Sequence, residues 1–424
     1  MSSFLDTVSE WSSSYLLIAF ILYCLSFFLF VLSIIGSKWS GNNEAQHKRN
    51  YGKWGFLTAI IGFVGHLLFF FTRWYASGHI PTSNMYEFMT FLGMMIIAAF
   101  IVIYAIYKTP LVGMFVLPIA VLIISYAAVF PSEVQPLVPS LKSNWLKIHV
   151  TTAAAGEAFF AIGFAGGLMH LLRTVDFRSK GKAARREQRG VEFTLFVILI
   201  LAAFILSIFS FNAGGYQAQF APPAASDTAA TKEQAVKIET YVLPPLVKPY
   251  GAETLSMTPF LGMKKPLLEA PYWMKGVSAG RKLNTVIWSL IGGAILYGVL
   301  RLLIRKPIGA AISPALQSLE AEDIDEISYR AIAIGYPVFT LGALLFAMIW
   351  ADQAWGQFWG WDPKEVWALI TWLFYAAYLH LRLSRGWVGK RSSWMSVIGF
   401  LIVMFTLVGV NLIIAGMHSY AGVD

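Results

Sequence analysis

The segment 355–367 has the clearest capacity of any stretch in this sequence to bind a ligand. It reads Trp-Gly-Gln-Phe-Trp-Gly-Trp-Asp-Pro-Lys-Glu-Val-Trp and places Trp355, Trp359, Trp361 and Trp367 in one short stretch. Tryptophan is common at membrane–water interfaces, so an aromatic belt is one interpretation. The density of flat aromatic surface favours a second interpretation, a platform on which a planar apolar ligand stacks.

The second half of the same segment also has a purely local interpretation. Asp362 is a good helix N-cap, Pro363 suits the first helical position, and Glu365 completes a capping box. These three residues are therefore predicted to begin a helix.

Two of the seven histidines, His149 and His418, lie at the ends of apolar segments, at the membrane level predicted for the tryptophan-rich segment. Two neutral imidazoles that face each other across an aromatic bed provide the axial ligation that a haem iron requires. The alternative is that each histidine is a polar end-cap of a membrane span.

A third histidine, His380, follows Glu365 by 15 residues, which is about 22 Å along a helix and reaches the inner half of the membrane. An ionisable residue inside the membrane predicts function, although an interhelical hydrogen bond or snorkelling beside Arg382 would also explain it. His66 and His170 are candidates for a second internal axial ligand.

A further polar cluster, 78–88, contains His79 and Glu87 next to a predicted turn and helix start. These two side chains are candidates for lining an outer site.

The amino-acid composition and the apolar runs indicate which structural elements position these residues. The chain has 424 residues, of which 57% are hydrophobic and 13% charged, against about a quarter charged in soluble domains. Long apolar runs without strand-like alternation predict an all-α integral membrane protein, a polytopic helical bundle with about ten transmembrane helices. The predicted spans are 14–36, 54–76, 88–107, 110–130, 148–172, 192–212, 284–304, 331–351, 365–383 and 394–415.

Basic residues predict the orientation of these spans. They concentrate in the loops 37–53, 173–190, 301–330 and 382–391, which fall on one side and are therefore expected in the cytoplasm. Both termini and the tryptophan-rich segment are then extracytoplasmic. Most of the basic residues behind the net charge of +9 lie in short loops beside apolar spans, so they are evidence for the orientation and imply no nucleic-acid partner.

The remaining loops differ in character. The segment 213–283 is predicted to be a long extracytoplasmic insertion, and the acidic segment 316–330 a short amphipathic surface helix.

The single cysteine, Cys24, excludes an internal disulfide and a CxxC redox pair. The N-terminus lacks the basic region of a cleavable signal peptide, so the first span is expected to be retained.

The chain resembles the CcsA/ResC family of system II cytochrome c biogenesis, whose WWD domain carries a tryptophan-rich signature. The matching segments are 77–88, 146–160, 328–356, 355–382 and 409–422. The region 174–327 matches shorter family members less well, so it is interpreted as an inserted region with two spans and the outer loop 213–283. It separates a five-span N-terminal region, 1–173, from a three-span WWD core, 328–424.

The resemblance implies haem transport and attachment. With a ResB/CcsB-like membrane subunit, such a protein carries haem b across the membrane and presents it to the CxxCH motif of apocytochrome c. His149 and His418 match the family's external iron ligands and His380 its transmembrane ligand, with Trp355, Trp359, Trp361, Asp362 and Trp367 around the haem. The partner subunit supplies the ligand opposite His380.

The resemblance thus implies a subunit of a holocytochrome c synthase that acts mainly by positioning haem, in the bacterial plasma membrane in preference to a thylakoid membrane. Lys364, Lys142 and Lys147 are candidates for holding the haem propionates. Two alternatives stay open: a haem exporter or chaperone without the covalent step, and a secondary transporter of another planar or anionic solute.

Overall fold

The computed structural model describes residues 2–36, 43–133, 142–221, 238–274 and 279–410, and these are mostly helical. Ten helices in the described ranges are long and apolar enough to cross a membrane, which confirms the predicted polytopic bundle. Nine spans come from α1 (Ser2–Ile35), α2 (Glu44–Ser77), α3 (Met85–Tyr107), α4 (Pro110–Ala127), α5 (Asn144–Thr174), α6 (Lys182–Ala213), α7 (Ala279–Ile304), α11 (Pro363–Arg385) and α12 (Lys390–Met404), the last continued by a π-helical segment, Phe405–Gly409.

The remaining span is built from three consecutive pieces. Helix α9 (Ala321–Phe339) continues through a π-helical segment, Thr340–Phe346, into α10 (Ala347–Trp355). The short helix α8 (Ile308–Ile312) and a 3-10 turn, Ser313–Leu316, precede it.

The prediction of a separate surface helix over 316–330 is wrong. Helix α9 begins at Ala321 and runs directly into the span. The acidic segment does not need full solvation, because Asp325 is 7% exposed and lies 2.8 Å from the Arg382 guanidinium of α11. A buried ion pair thus replaces the expected solvated face at this position.

Helix α5 lies at the centre of one compact unit, which comprises the described residues before 192 and those from 309 to 410. Its glycines and alanines let neighbouring backbones approach closely, as is common between membrane helices. A Cβ atom at Gly156 would lie 2.7 Å from backbone atoms of Phe339, and one at Gly163 would lie 2.6 Å from the Ile332 side chain.

Polar contacts reinforce this packing at one carbonyl group. The hydroxyls of Ser328 on α9 and Ser396 on α12 both donate to the Gly163 carbonyl of α5, at 2.7 and 2.6 Å. Three helices therefore share one buried hydrogen-bonded junction, in which a backbone acceptor satisfies two buried hydroxyls.

The second compact unit spans Glu192–Ile308, and it contains a small β-domain between α6 and α7. Its strands are β1 (Ala218–Ala221), β2 (Glu239–Tyr241), β3 (Val247–Lys248), β4 (Glu253–Met257) and β5 (Leu268–Glu269). The first sheet is antiparallel with order β2-β1-β4, and β3 pairs with β5 in parallel. The sequence analysis predicted no strands in this loop, since strands of two to five residues carry too little alternation to be recognised.

The β-domain has its own hydrophobic core and an ion pair that links β3 and β5. Tyr216, Phe220 and Tyr241 are buried together, with Met257 packed against them. The backbone N–H of Gly251 and the Lys248 ammonium both bond the Glu269 carboxylate, which lowers the pKa of Glu269.

We expect Gly156→Ala to destabilise the membrane unit, because the added methyl group must displace the α9 backbone. Overpacking of this kind costs about 1–3 kcal/mol. The matched control is Gly298→Ala in α7, where an added Cβ meets no atom within 4 Å. Thermal unfolding in detergent should show a lower Tm for Gly156→Ala than for Gly298→Ala, and equal values would contradict the packing argument.

Candidate functional site

His149 lies in the second turn of α5 and is half-buried. Its Nδ1 is 2.9 Å from the carbonyl oxygen of Gly342 in the first π-helical segment. A carbonyl only accepts, so in the neutral imidazole Nδ1 donates and Nε2 carries the lone pair. Metal-ligating histidines are commonly oriented in this way, by donating their other ring nitrogen to a carbonyl or carboxylate.

Gly342 is positioned by its contact with α5. A side chain at this position would overlap the backbone of Ala153, so only glycine allows the π-helical turn to lie against α5. Single π-helical turns within α-helices often occur at functional sites. The packing of two backbones thus determines the orientation of the His149 ring.

Trp350 and Trp355 form an aromatic wall beside His149. The Trp350 ring is stacked with the imidazole at a centroid distance of 5.9 Å and an interplanar angle of 11°, and it is 4% exposed. Trp355 meets Trp350 edge-on at 4.8 Å. Sequence analysis missed Trp350, although its spacing of five residues before Trp355 on the same apolar segment was a usable signal.

The tryptophan-rich segment continues this aromatic surface outward. Trp359 is half-buried, and its ring centroid is 6.0 Å from that of Trp361. Trp361 and Phe358 are 70% and 61% exposed. Large exposed aromatic faces in this segment suit the predicted planar ligand.

The predicted capping box is confirmed, and it shapes this segment. The Glu365 carboxylate accepts from the backbone N–H groups of Gly360, at 2.8 Å, and Asp362, at 3.3 Å, while Asp362 caps α11 through Lys364 N–H. These bonds hold Trp361 between them at φ +56°, a left-handed conformation that a bulky residue rarely adopts. Asp362 therefore helps to determine the backbone conformation of the tryptophan-rich segment.

Trp367 packs one turn into α11, with its ring centroid 4.4 Å from that of Phe405, at the start of the second π-helical segment. The other predicted external ligand, His418, lies outside the described residues.

His380 lies far from His149, near the opposite end of the bundle. It is exposed on α11, and its Nδ1 is 3.5 Å from the Ser384 hydroxyl one turn further along. Arg382, two residues later, turns inward to Asp325 instead. The imidazole therefore points away from the packed helices that the structure describes.

The two internal histidines have structural partners. His66 is fully buried between the rings of Tyr23 and Phe69, at 6.0 and 5.7 Å, and its Nδ1 is 3.3 Å from the Tyr23 hydroxyl. His170 is buried and lies 2.9 Å from the Ser393 hydroxyl of α12. Neither ring presents an open face to a porphyrin.

Glu87 is also engaged in structure. It is fully buried, pairs with Arg73 at 2.8 Å and accepts from the backbone and hydroxyl of Ser83. Arg73 in turn donates to the Ser132 carbonyl. His79, on the neighbouring turn, places its Nδ1 3.0 Å from the Ile80 carbonyl. This cluster braces the loops that follow α2 and α4.

Glu157 is a buried acid that the sequence analysis missed. It lies two turns beyond His149 on α5, is 8% exposed, and its Oε2 has no hydrogen-bond partner among the described residues. Lys364 at the start of α11 acts on it electrostatically. The usable signal was the presence of an acidic residue within an apolar span. A charge inside the membrane is energetically costly, so such a residue indicates a functional role or a charged partner.

We expect the charges of Glu157 and Lys364 to be coupled. Lys364→Gln should destabilise the protein, because it removes the cation that acts on the buried Glu157 carboxyl group, whereas Glu157→Gln should cost less, because Asp362 still acts on Lys364. A double-mutant cycle measured by unfolding in detergent should give a coupling free energy of about 0.5–3 kcal/mol. Additive effects of the two substitutions would show that the residues do not interact.

Comparison with known proteins covers the part of the chain that holds these residues. The family model described as "Cytochrome C assembly protein" matches residues 82–221 and 286–418, which include His149, the tryptophan-rich segment and His380. The match includes all of α6 and the part of α7 from residue 286 onward, and 222–285 is the internal segment outside it.

Curated relatives extend the match over most of the chain. The chain is 32% identical over 352 residues to a cytochrome c biogenesis protein CcsA of Microcystis aeruginosa, covering 82% of this chain and 81% of the relative. It is 31% identical to the CcsA protein of Nostoc punctiforme, covering 82% of each chain. The chain therefore belongs to the cytochrome c assembly protein family and is a multi-pass membrane protein of cytochrome c biogenesis.

Proposed function

We propose that this chain binds haem b beside the tryptophan-rich segment and presents it for attachment to the CxxCH motif of apocytochrome c. His149 and His418 are the proposed axial ligands. The observation that carries the proposal is the His149 ring itself, which a Gly342 carbonyl orients through Nδ1 and Trp350 supports from one face. Haem is the substrate that such an imidazole beside flat aromatic rings fits best.

The aromatic residues supply affinity and orientation. Apolar porphyrin surface removed from water contributes about 25 cal/mol per Å². The exposed Trp361 and Phe358 rings offer such surface close to the half-buried Trp359. Lys142 and Lys147 are the proposed cations for the propionates, and Lys147 Nζ lies 3.1 Å from Asn144 Oδ1 in the first turn of α5. Lys364, the third candidate, is already engaged by Asp362 and Glu157.

His380 is proposed as one half of a second site, completed by a ResB/CcsB-like membrane subunit. Its exposure on α11 supports this, because an outward-facing imidazole needs a second chain to enclose a ligand. His66 and His170 do not fit this role, since both rings are enclosed by their own helices.

The covalent step is the addition of the two CxxCH thiols across the haem vinyl groups. This chain would act by proximity and orientation, as a subunit of a holocytochrome c synthase. Its only cysteine, Cys24, lies within α1 and is distant in sequence from every element of the site, which suits a protein that adds no thiol of its own.

The second candidate function is haem export or chaperoning without the covalent step. The same imidazole and aromatic wall would serve it. Reconstitution of this chain with the partner subunit, haem and a reduced apocytochrome peptide separates the two, because thioether formation requires the synthase function.

The proposal includes the orientation of the chain in the membrane. The end of the bundle that carries the basic loops is proposed to be cytoplasmic. Four cations on one face of the first turns of α6 support this: Lys182, Arg185, Arg186 and Arg189. The tryptophan-rich segment and both termini are then extracytoplasmic, in a bacterial plasma membrane. Haem would pass from His380 outward to His149.

His149→Ala should abolish holocytochrome c formation in cells, because it removes an iron ligand and leaves the aromatic wall intact. His47→Ala is the control, since His47 stacks on Tyr51 at the start of α2, away from the site. Haem staining of cytochrome c on gels measures the product. Normal attachment in His149→Ala would overturn the proposed ligation.

His380→Ala should lower the haem that co-purifies with the complex of this chain and its partner subunit several-fold. It should leave the amount of purified protein unchanged, because the exposed ring has few contacts to lose. A pyridine haemochrome assay quantifies haem b. If His380→Ala and the parent carry equal haem, the second site does not involve His380.

A further inference from the structure

The β-domain carries a two-residue hairpin turn with an exposed apolar tip. Phe260 and Met263 form an antiparallel bridge with two backbone hydrogen bonds, of 3.1 and 2.8 Å. The turn residues Leu261 and Gly262 have φ of +48° and +83°. Leu261 is 92% exposed, so a bulky apolar side chain occupies a left-handed turn position where water would be its only contact.

The domain is fixed to the beginning of α7 by one buried side chain. Asn284 accepts from the N–H groups of Leu246 and Val247, at 2.8 and 2.9 Å, and donates to the carbonyls of Val247 and Gly280, at 2.6 and 2.8 Å. All four hydrogen-bonding positions of the amide are thereby used. The depth of the domain along α7 is therefore well determined.

The base of the hairpin lies one turn deeper than Asn284. The Phe260 ring centroid is 5.5 Å from that of Trp288 on α7 and 5.3 Å from that of Phe211 in the last turn of α6. Trp288 also donates to the Pro244 carbonyl at 2.7 Å. The hairpin therefore packs against two spanning helices.

Trp288 marks the membrane boundary on α7. Arg281 and Lys282 lie in the first turns, and the uncharged stretch 286–300 follows and ends before Arg301. Trp288 stands at the start of that stretch, the depth at which tryptophan is enriched between headgroups and hydrocarbon. A residue adjacent to Phe260 is thus at the level of the lipid headgroups and the upper acyl chains.

We infer that Leu261 at the hairpin tip inserts into the bilayer interface and anchors the β-domain on the leaflet that holds the end of α6 and the start of α7. Lys264 and Lys265 follow the tip and are exposed, which suits contact with lipid phosphates. Leu267, 70% exposed, extends the apolar surface. An apolar tip flanked by lysines is the pattern of an interfacial membrane contact.

The test places an environment-sensitive fluorophore at the tip. In a Cys24→Ala background, Leu261→Cys is labelled with nitrobenzoxadiazole, and the full chain is placed in nanodiscs of phosphatidylcholine and phosphatidylglycerol. Glu253→Cys, exposed at the start of β4 and eight residues before the tip, is the matched control. Gly262→Cys provides a second position on the same turn.

Quenching distinguishes the outcomes. We expect nitroxide-labelled lipids to quench the label at position 261 at least several-fold more than at 253, and aqueous iodide to do the reverse. Iodide quenching at 261 equal to that at 253 would place the tip in water and overturn the inference. Protection of position 261 from both quenchers would show that protein, such as a second copy of this chain, covers the tip, and would also overturn it.

Discussion

The close approach of α5 to the α9–α10 span is the constraint on which the rest of the membrane unit depends. Gly156 and Gly342 allow backbone to lie directly against backbone, with Phe339 and Ala153 on the facing sides. In a bilayer, dispersion and hydrogen bonding drive helix association, so such small-residue contacts determine which faces meet. The serine hydroxyls on Gly163 complete the same contact deeper in the membrane.

The same contact determines the chemistry of His149. A helix of ordinary pitch would present its carbonyls along its own axis, whereas the π-helical turn lets the Gly342 carbonyl serve the imidazole of α5 as well. Trp350, eight residues later, stacks with that imidazole. One steric requirement for glycine thus fixes both the tautomer and the stacking partner of the proposed ligand.

Hydrophobic length alone predicted the ten spans, and local chemistry predicted the capping box of Asp362 and Glu365, because both signals are contained in contiguous residues. The π-helical segments, the burial of Asp325 against Arg382, and the buried Glu157 were not predicted. Each depends on which helices become neighbours, and that information is spread over distant parts of the chain. His380 lies near the C-terminal end of α11, and its exposure follows only from the packing of the helices.

The two ends of the bundle therefore present their histidines differently. His149 is half-buried, hydrogen-bonded and stacked within its own chain, so its ring is pre-organised before any ligand arrives. His380 is exposed and has only a long contact with Ser384, so its ring is oriented by whatever binds beside it. Binding a ligand therefore costs the His149 side chain less conformational entropy than it costs the His380 side chain. On the proposed function, this difference favours transfer of haem toward the tryptophan-rich segment.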